Sequence, residues 1–143
     1  VFAAAMGMSA KLGNIDPSHL IDTLSAGKLE KGPGGLLVEA ILANFVVNMA
    51  IVGAVFAKDV VSKFFVLVPI IACFVGLGLE HVIANFCLMT LTFFCASPLP
   101  EGFTLWVVLA NWSIVWVGNL IGGGFLIGGV YAWLNSGPEA YRD

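Results

Sequence analysis

The chain has 143 residues, 59% of them hydrophobic and only 10% charged, with a net charge of −3 and a mean hydropathy of +0.99. This composition excludes a soluble globular domain, whose core has no room for apolar runs of such length, and the lack of a basic patch excludes nucleic acid as a partner. Short segments alternating apolar and polar residues, the mark of a membrane β-barrel, are missing, which leaves an all-α integral membrane protein.

The first residues, VFAAAMGM, carry neither an initiator methionine nor a basic region. Roughly ten mostly apolar residues precede Lys11, too few to cross a bilayer. They read as the end of a membrane helix over 1–11 that began earlier, so the chain is expected to be part of a longer protein. Residues 13–35 are polar and turn-rich. Asp16 before Pro17 predicts an N-cap and a first helical position, opening a short helix over 18–24. Residues 26–33 then return the chain to the bilayer, and His19 is expected to be solvated.

Residues 36–57 form the first complete span, apolar apart from Glu39, Asn44 and Asn48. Asn44 and Asn48 are four apart and share a helix face, which is expected to point into the protein rather than at lipid. The spacing leaves interhelical hydrogen bonding and pore lining both open. Lys58, Asp59 and Lys63 make a charged turn with no room for a soluble domain.

The next span, 60–96, is apolar but interrupted by Glu80 and His81 at its middle. The apolar runs on either side would each give roughly 22–24 Å of helix, short of the ~30 Å hydrocarbon core. A single rod through both would be about 50 Å. Two half-helices meeting near the midplane, with a glycine-rich joint between them, are the better fit. Irregular backbone at that depth is tolerated only inside protein or beside a wet cavity, and an ionisable residue there is a functional candidate. Pro69 predicts a kink in the first half, and Pro98 and Pro100 stop the second.

Residues 104–134 form the last span, about 46 Å if fully helical and so expected to tilt or project. Trp106, Tyr131 and Trp133 suit the two interfaces. Asn111, Ser113 and Asn119 lie inside it, and the pairs Gly118/Gly122 and Gly124/Gly128 predict close approach of a neighbouring helix. Cys73, Cys87 and Cys95 lack metal-type spacing and are expected to be small buried hydrophobes. The lysines and arginine divide evenly, Lys58, Lys63 and Arg142 against Lys11, Lys28 and Lys31, so charge leaves the orientation undecided.

The break carries the chemistry. A half-helix starting near His81 presents unpaired N–H groups and the positive end of its dipole, which favours an anion. His81 changes charge near neutral pH. A bare anion in hydrocarbon costs several kcal/mol or more, its conjugate acid far less, so a proton donor helps it cross. Phe74 lies about two turns before His81; from position alone it is either a constriction or an ordinary packed or lipid-facing aromatic. Glu80 repels anions and reads as a structural group holding the joint. A different class of function, a haem-binding or structural membrane-anchor subunit, is weighed against this; haem between helices usually needs an axial pair, and His19 is far along the chain. No catalytic residue, cofactor or metal is assigned, and the chain is not expected to be an enzyme.

Phe74-Val75-Gly76-Leu77-Gly78-Leu79-Glu80-His81-Val82-Ile83-Ala84-Asn85 resembles the F-x-x-x-G-x-E-H-x-x-A-N motif of the formate/nitrite transporter family. Ile41-Leu42-Ala43-Asn44 resembles its I-L-x-N, and Gly118-Asn119-Leu120-Ile121-Gly122-Gly123 its G-N-x-x-G-G. The three motifs stand in the order and at the separations of the C-terminal half of that family, over nearly the whole chain. The resemblance implies an aquaporin-like helical bundle of two inverted repeats, a homopentamer with a pore in each protomer, and an inner or plasma membrane of bacterial type. It implies that His81 is the pore histidine, Glu80 orients the joint and Phe74 belongs to a hydrophobic constriction. Asn44 and Asn119 would flank the histidine, and Lys28, upstream of Glu39, would attract the anion in a vestibule. Implied substrates are small monovalent anions or their conjugate acids, of the formate, nitrite and hydrosulfide class. Asn48 and Gly76 have no place in the motif.

Overall fold

A computed structural model describes residues 1–9, 13, 15–16 and 18–137, so Lys11, Pro17 and Arg142 lie outside the described residues. The regular structure is helical: α1 (Phe2–Gly7), α2 (Leu20–Leu29), α3 (Pro33–Phe56), α4 (Val60–Gly76), α5 (Val82–Cys95) and α6 (Leu105–Asn119). A π-helical segment, Leu120–Gly129, then runs into α7 (Val130–Leu134). Helix α3, with 24 residues, and the continuous rod Leu105–Leu134, with 30, are long and apolar enough to cross a membrane. Between them stands the broken span, α4 with 17 residues and α5 with 14. At the helical rise these give about 25 and 21 Å, each less than a bilayer core.

The chain divides into two compact units, Val1–Leu36 with Val82–Ile114, and Leu37–His81 with the chain from Val115 onward. In the first unit α1 and α2 pack on α5. Val82, Asn85, Met89, Thr92 and Cys95 are buried, and their spacing of three or four places them on one face of the helix. The Ser25 and Thr92 hydroxyls lie 2.7 Å apart across the α2–α5 contact, and Ile15 donates its N–H to the Cys95 carbonyl at 2.9 Å.

Helix α2 departs from the sequence expectation at both ends. It starts at Leu20 and runs to Leu29, because His19 supplies the N-cap: its Nδ1 accepts from the Ile21 N–H at 3.2 Å. Asp16 instead accepts from the Ser18 N–H at 2.8 Å, closing a local turn before the helix begins. His19 is thus exposed but not idle.

In the second unit small residues set the packing. Ala40, Ala43, Ala50 and Val115 are fully buried. A Cβ on Gly118 would run into Ala40, and one on Gly122 into the Ile41 backbone, so α3 and the last rod approach at backbone distance there. Among the described residues no neighbouring helix meets the second glycine pair: a Cβ on Gly124 would touch the Leu120 side chain, and one on Gly128 the Gly123 carbonyl, at 3.5 Å. Gly124 and Gly128 are exposed, whereas Gly122, in the same π segment, is buried. Asp59 caps α4, its carboxylate accepting from the Ser62 N–H at 2.9 Å and from the Ser62 hydroxyl at 2.6 Å. Cys95 is buried as expected, but Cys73 and Cys87 are exposed. They sit on outward faces with Phe65, Val75 and Phe86, apolar surface that suits a membrane setting.

Candidate functional site

The joint between α4 and α5 is built by glycine. Leu77 donates its N–H back to the Cys73 carbonyl at 2.9 Å and Gly78 to the Val75 carbonyl at 3.0 Å, which closes α4. Gly78 then takes φ +63°, a left-handed conformation that glycine reaches without a Cβ penalty. The chain leaves the helix axis, passes through Leu79, Glu80 and His81, and re-enters helix at Val82.

Five of the six residues singled out in the sequence, Asn44, Phe74, Glu80, His81 and Asn119, fall in the second unit. His81 is half-buried, and the Phe74 ring meets its imidazole edge-to-face, with centroids 6.0 Å apart and planes at 80°. The turn through Gly78 thus leaves the histidine against an aromatic of the last turn of α4. Glu80 is completely buried. Its carbonyl accepts the side-chain amide of Asn119 at 3.0 Å, and the same amide donates to the Ala40 carbonyl at 2.8 Å. Asn119 therefore ties the joint to α3 from its place at the end of α6. The Asn44 amide donates to the Asn119 carbonyl at 2.7 Å. Asn44 and Asn48 share a face, as their spacing predicts, and that face meets Gly123, where a Cβ would crowd both amide nitrogens.

Lys28 belongs to the first unit, in the last turn of α2. It lines a cavity of about 170 Å³ with Lys31, Trp106 and Asn111. Its backbone carbonyl accepts from the Asn111 amide at 3.3 Å, and Asn111 in turn accepts from the Asn85 amide at 2.9 Å. Sequence reasoning did not pair Asn85 with Asn111. The available signal was a polar residue at the buried spacing of an otherwise apolar helix, which demands a partner. Asp22, on α2 outside the spans, is 4% exposed. Burial pushes its carboxyl above the usual range, Asp16's charge adds to this and His19 opposes it. Among the described residues no group of three or more His, Cys, Asp or Glu is placed to hold a metal.

A sequence profile described as Formate/nitrite transporter matches residues 1–133. The chain is 34% identical to "Formate channel BtFdhC" of Bacillus thuringiensis over 110 residues, 76% of this chain and 40% of that protein. It is 34% identical to "Formate channel FocA" of Escherichia coli (strain K12) over 106 residues, 64% of this chain and 37% of FocA. "Uncharacterized transporter YrhG" of Bacillus subtilis (strain 168) is 32% identical, with 76% of this chain and 39% of YrhG covered. The chain thus spans well under two thirds of the relatives it matches. Among solved structures, an "FNT family ion channel" superposes with a TM-score of 0.77 at 23% identity, covering 92% of this chain and 53% of that one. Over the part that it covers, the all-helical fold is that of the solved channel, and the chain belongs to the formate/nitrite transporter family.

Proposed function

We propose that this chain is the C-terminal half of a channel or transporter that passes small monovalent anions or their conjugate acids across an inner or plasma membrane, as part of a homopentamer. Its relatives named as formate channels support formate as one substrate, with nitrite and hydrosulfide in the same chemical class. The observation that carries the reading is the Phe74–His81 contact at a break in an apolar span. In this mechanism Lys28 concentrates the anion at the mouth, and His81 or a water beside it donates a proton. The neutral acid then passes an apolar constriction that includes Phe74, where the bare anion would be too costly. Glu80 serves the joint, since a carboxylate facing the pathway would repel its cargo.

The test is uptake of formate, nitrite and hydrosulfide by the complete protein in proteoliposomes, with and without His81→Ala. The substitution is expected to change selectivity between anion and acid and to alter the pH dependence of uptake. Unchanged selectivity and pH dependence would remove His81 from the mechanism. A haem absorbance band in the purified protein would instead support a membrane-anchor subunit.

A further inference from the structure

We infer that Asn48, which has no place in the family motif, is a positioning residue for permeation: it fixes which way round the Asn44 amide sits, and through Asn44 and Asn119 the backbone beside His81. The inference rests on the channel reading above.

A primary amide has a donor end and an acceptor end, and nothing in its shape chooses between two orientations. In α3 the choice is made by the next turn. The Asn48 amide donates to the Asn44 backbone carbonyl at 2.7 Å and to the Asn44 side-chain oxygen at 3.2 Å. With its oxygen held there, Asn44 turns its NH2 outward to the Asn119 carbonyl, at 2.7 Å. That carbonyl lies where α6 passes into the π-helical segment, a junction at which the regular i to i+4 pairing changes to i to i+5. Asn119 then spends its own NH2 on the Ala40 and Glu80 carbonyls. Three amides in series therefore connect Asn48 to the peptide that precedes His81. Reversing Asn44 would set its oxygen against the Asn119 carbonyl oxygen, replacing an attraction by a repulsion at hydrogen-bond distance. Gly123 makes the arrangement sterically possible, because any Cβ there would displace the amide nitrogens of both Asn44 and Asn48.

Formate uptake into proteoliposomes over a pH series, by the wild type, Asn48→Leu, Asn48→Asp and His81→Ala, tests this. Asn48→Leu is expected to lower uptake about fivefold to tenfold, the weight of one lost hydrogen bond, and to move the pH midpoint. Asn48→Asp keeps shape but can donate to the Asn44 oxygens only when protonated, so its uptake relative to wild type should fall as pH rises. If the leucine variant does not fold, the near-isosteric aspartate variant decides alone. A ratio that stays flat with pH, together with an unmoved midpoint, means a merely structural role and overturns the inference, whether or not the overall rate falls. A wild type without His81-dependent uptake overturns the channel reading itself, and this inference with it. His81-dependent uptake with wild-type behaviour in both Asn48 variants overturns only the inference.

Discussion

The side-chain amide of Asn119 donates to the main-chain carbonyl of Glu80, 3.0 Å away, so a residue at the middle of the last membrane rod holds the peptide just before His81. A second bond from the same amide, 2.8 Å to the Ala40 carbonyl, ties α3 into the same point. At 5% exposure Asn119 has little competition from water, and inside a helix bundle a carbonyl without a donor keeps its full desolvation cost.

Asn119→Ala is therefore expected to destabilise the protein by about 1–3 kcal/mol, chiefly from the Glu80 carbonyl in the non-helical joint, since the Ala40 carbonyl keeps its partner within α3. Thermal unfolding in detergent, compared with wild type under identical conditions, measures it. A change below about 0.5 kcal/mol, the range of an ordinary surface substitution, would mean that other donors replace the amide.

Gly123→Ala should be far more damaging than Gly124→Ala, although the two glycines are neighbours. A methyl at 123 meets two amide nitrogens held in hydrogen bonds, whereas one at 124 meets only the flexible Leu120 side chain at 3.1 Å. Overpacking of the first kind costs about 1–3 kcal/mol. Comparing apparent melting temperatures of the two variants checks the contrast, which equal shifts would refute.

The broken helix and the residues at its joint were legible in the sequence because they rest on strong physical constraints. Each apolar half is too short to span, and Glu80 with His81 cannot face lipid, so the break follows from length and charge. The close approach at Gly118 and Gly122 was legible for the same reason, since a small residue on each turn admits a backbone. The π winding from Leu120 was not. Its glycines suit either helix type, and the Gly124/Gly128 pair meets no neighbouring helix among the described residues. The α2 start was misread for a local reason: histidine is a rare cap, and Asp16 beside Pro17 carries the commoner signal, although Asp16 closes a turn instead. Asn48 could be placed on a face, but spacing left interhelical bonding and pore lining both open; its amide bonds back to Asn44 on the same helix.

In the first unit, the Asn85 amide donates to the Asn111 side-chain oxygen at 2.9 Å. A double-mutant cycle with Asn85→Ala and Asn111→Ala should give a coupling of about 0.6 kcal/mol, the average for polar pairs between membrane helices, and no more than about 1.7. Ser113→Ala provides the comparison. Its exposed hydroxyl bonds back to the Leu109 carbonyl of its own helix at 2.8 Å, so its loss should change stability by less than about 0.5 kcal/mol. Additive effects of the two asparagine substitutions would show that the pair contributes no mutual stabilisation.

Asp22 and Asp59 should bend the pH–stability curve in opposite directions. Burial first, and the charge of Asp16 second, raise the Asp22 carboxyl above its ordinary range. Folding then favours its protonated form, so the native state binds more protons than the unfolded one between the two titrations, and stability falls as pH rises through that window. The cost is fully present above the folded titration and absent below the unfolded one. Asp59 is the reverse case, lowered chiefly by the Ser62 hydroxyl and then by the Ser62 N–H. Its contribution is present above the ordinary aspartate titration and is lost as pH falls through the depressed one. Asp22→Asn should therefore raise stability at neutral pH while leaving acid stability unchanged, provided the amide is accommodated at the buried site. Asp59→Asn should lower neutral stability and leave the acid limit unchanged. Melting curves of both variants and wild type from pH 3 to 8, about the span over which carboxylates and histidine titrate, decide it. A neutral-pH loss in Asp22→Asn, with no change of slope across the acid range, would show that this carboxylate is stabilised by its surroundings rather than penalised by them.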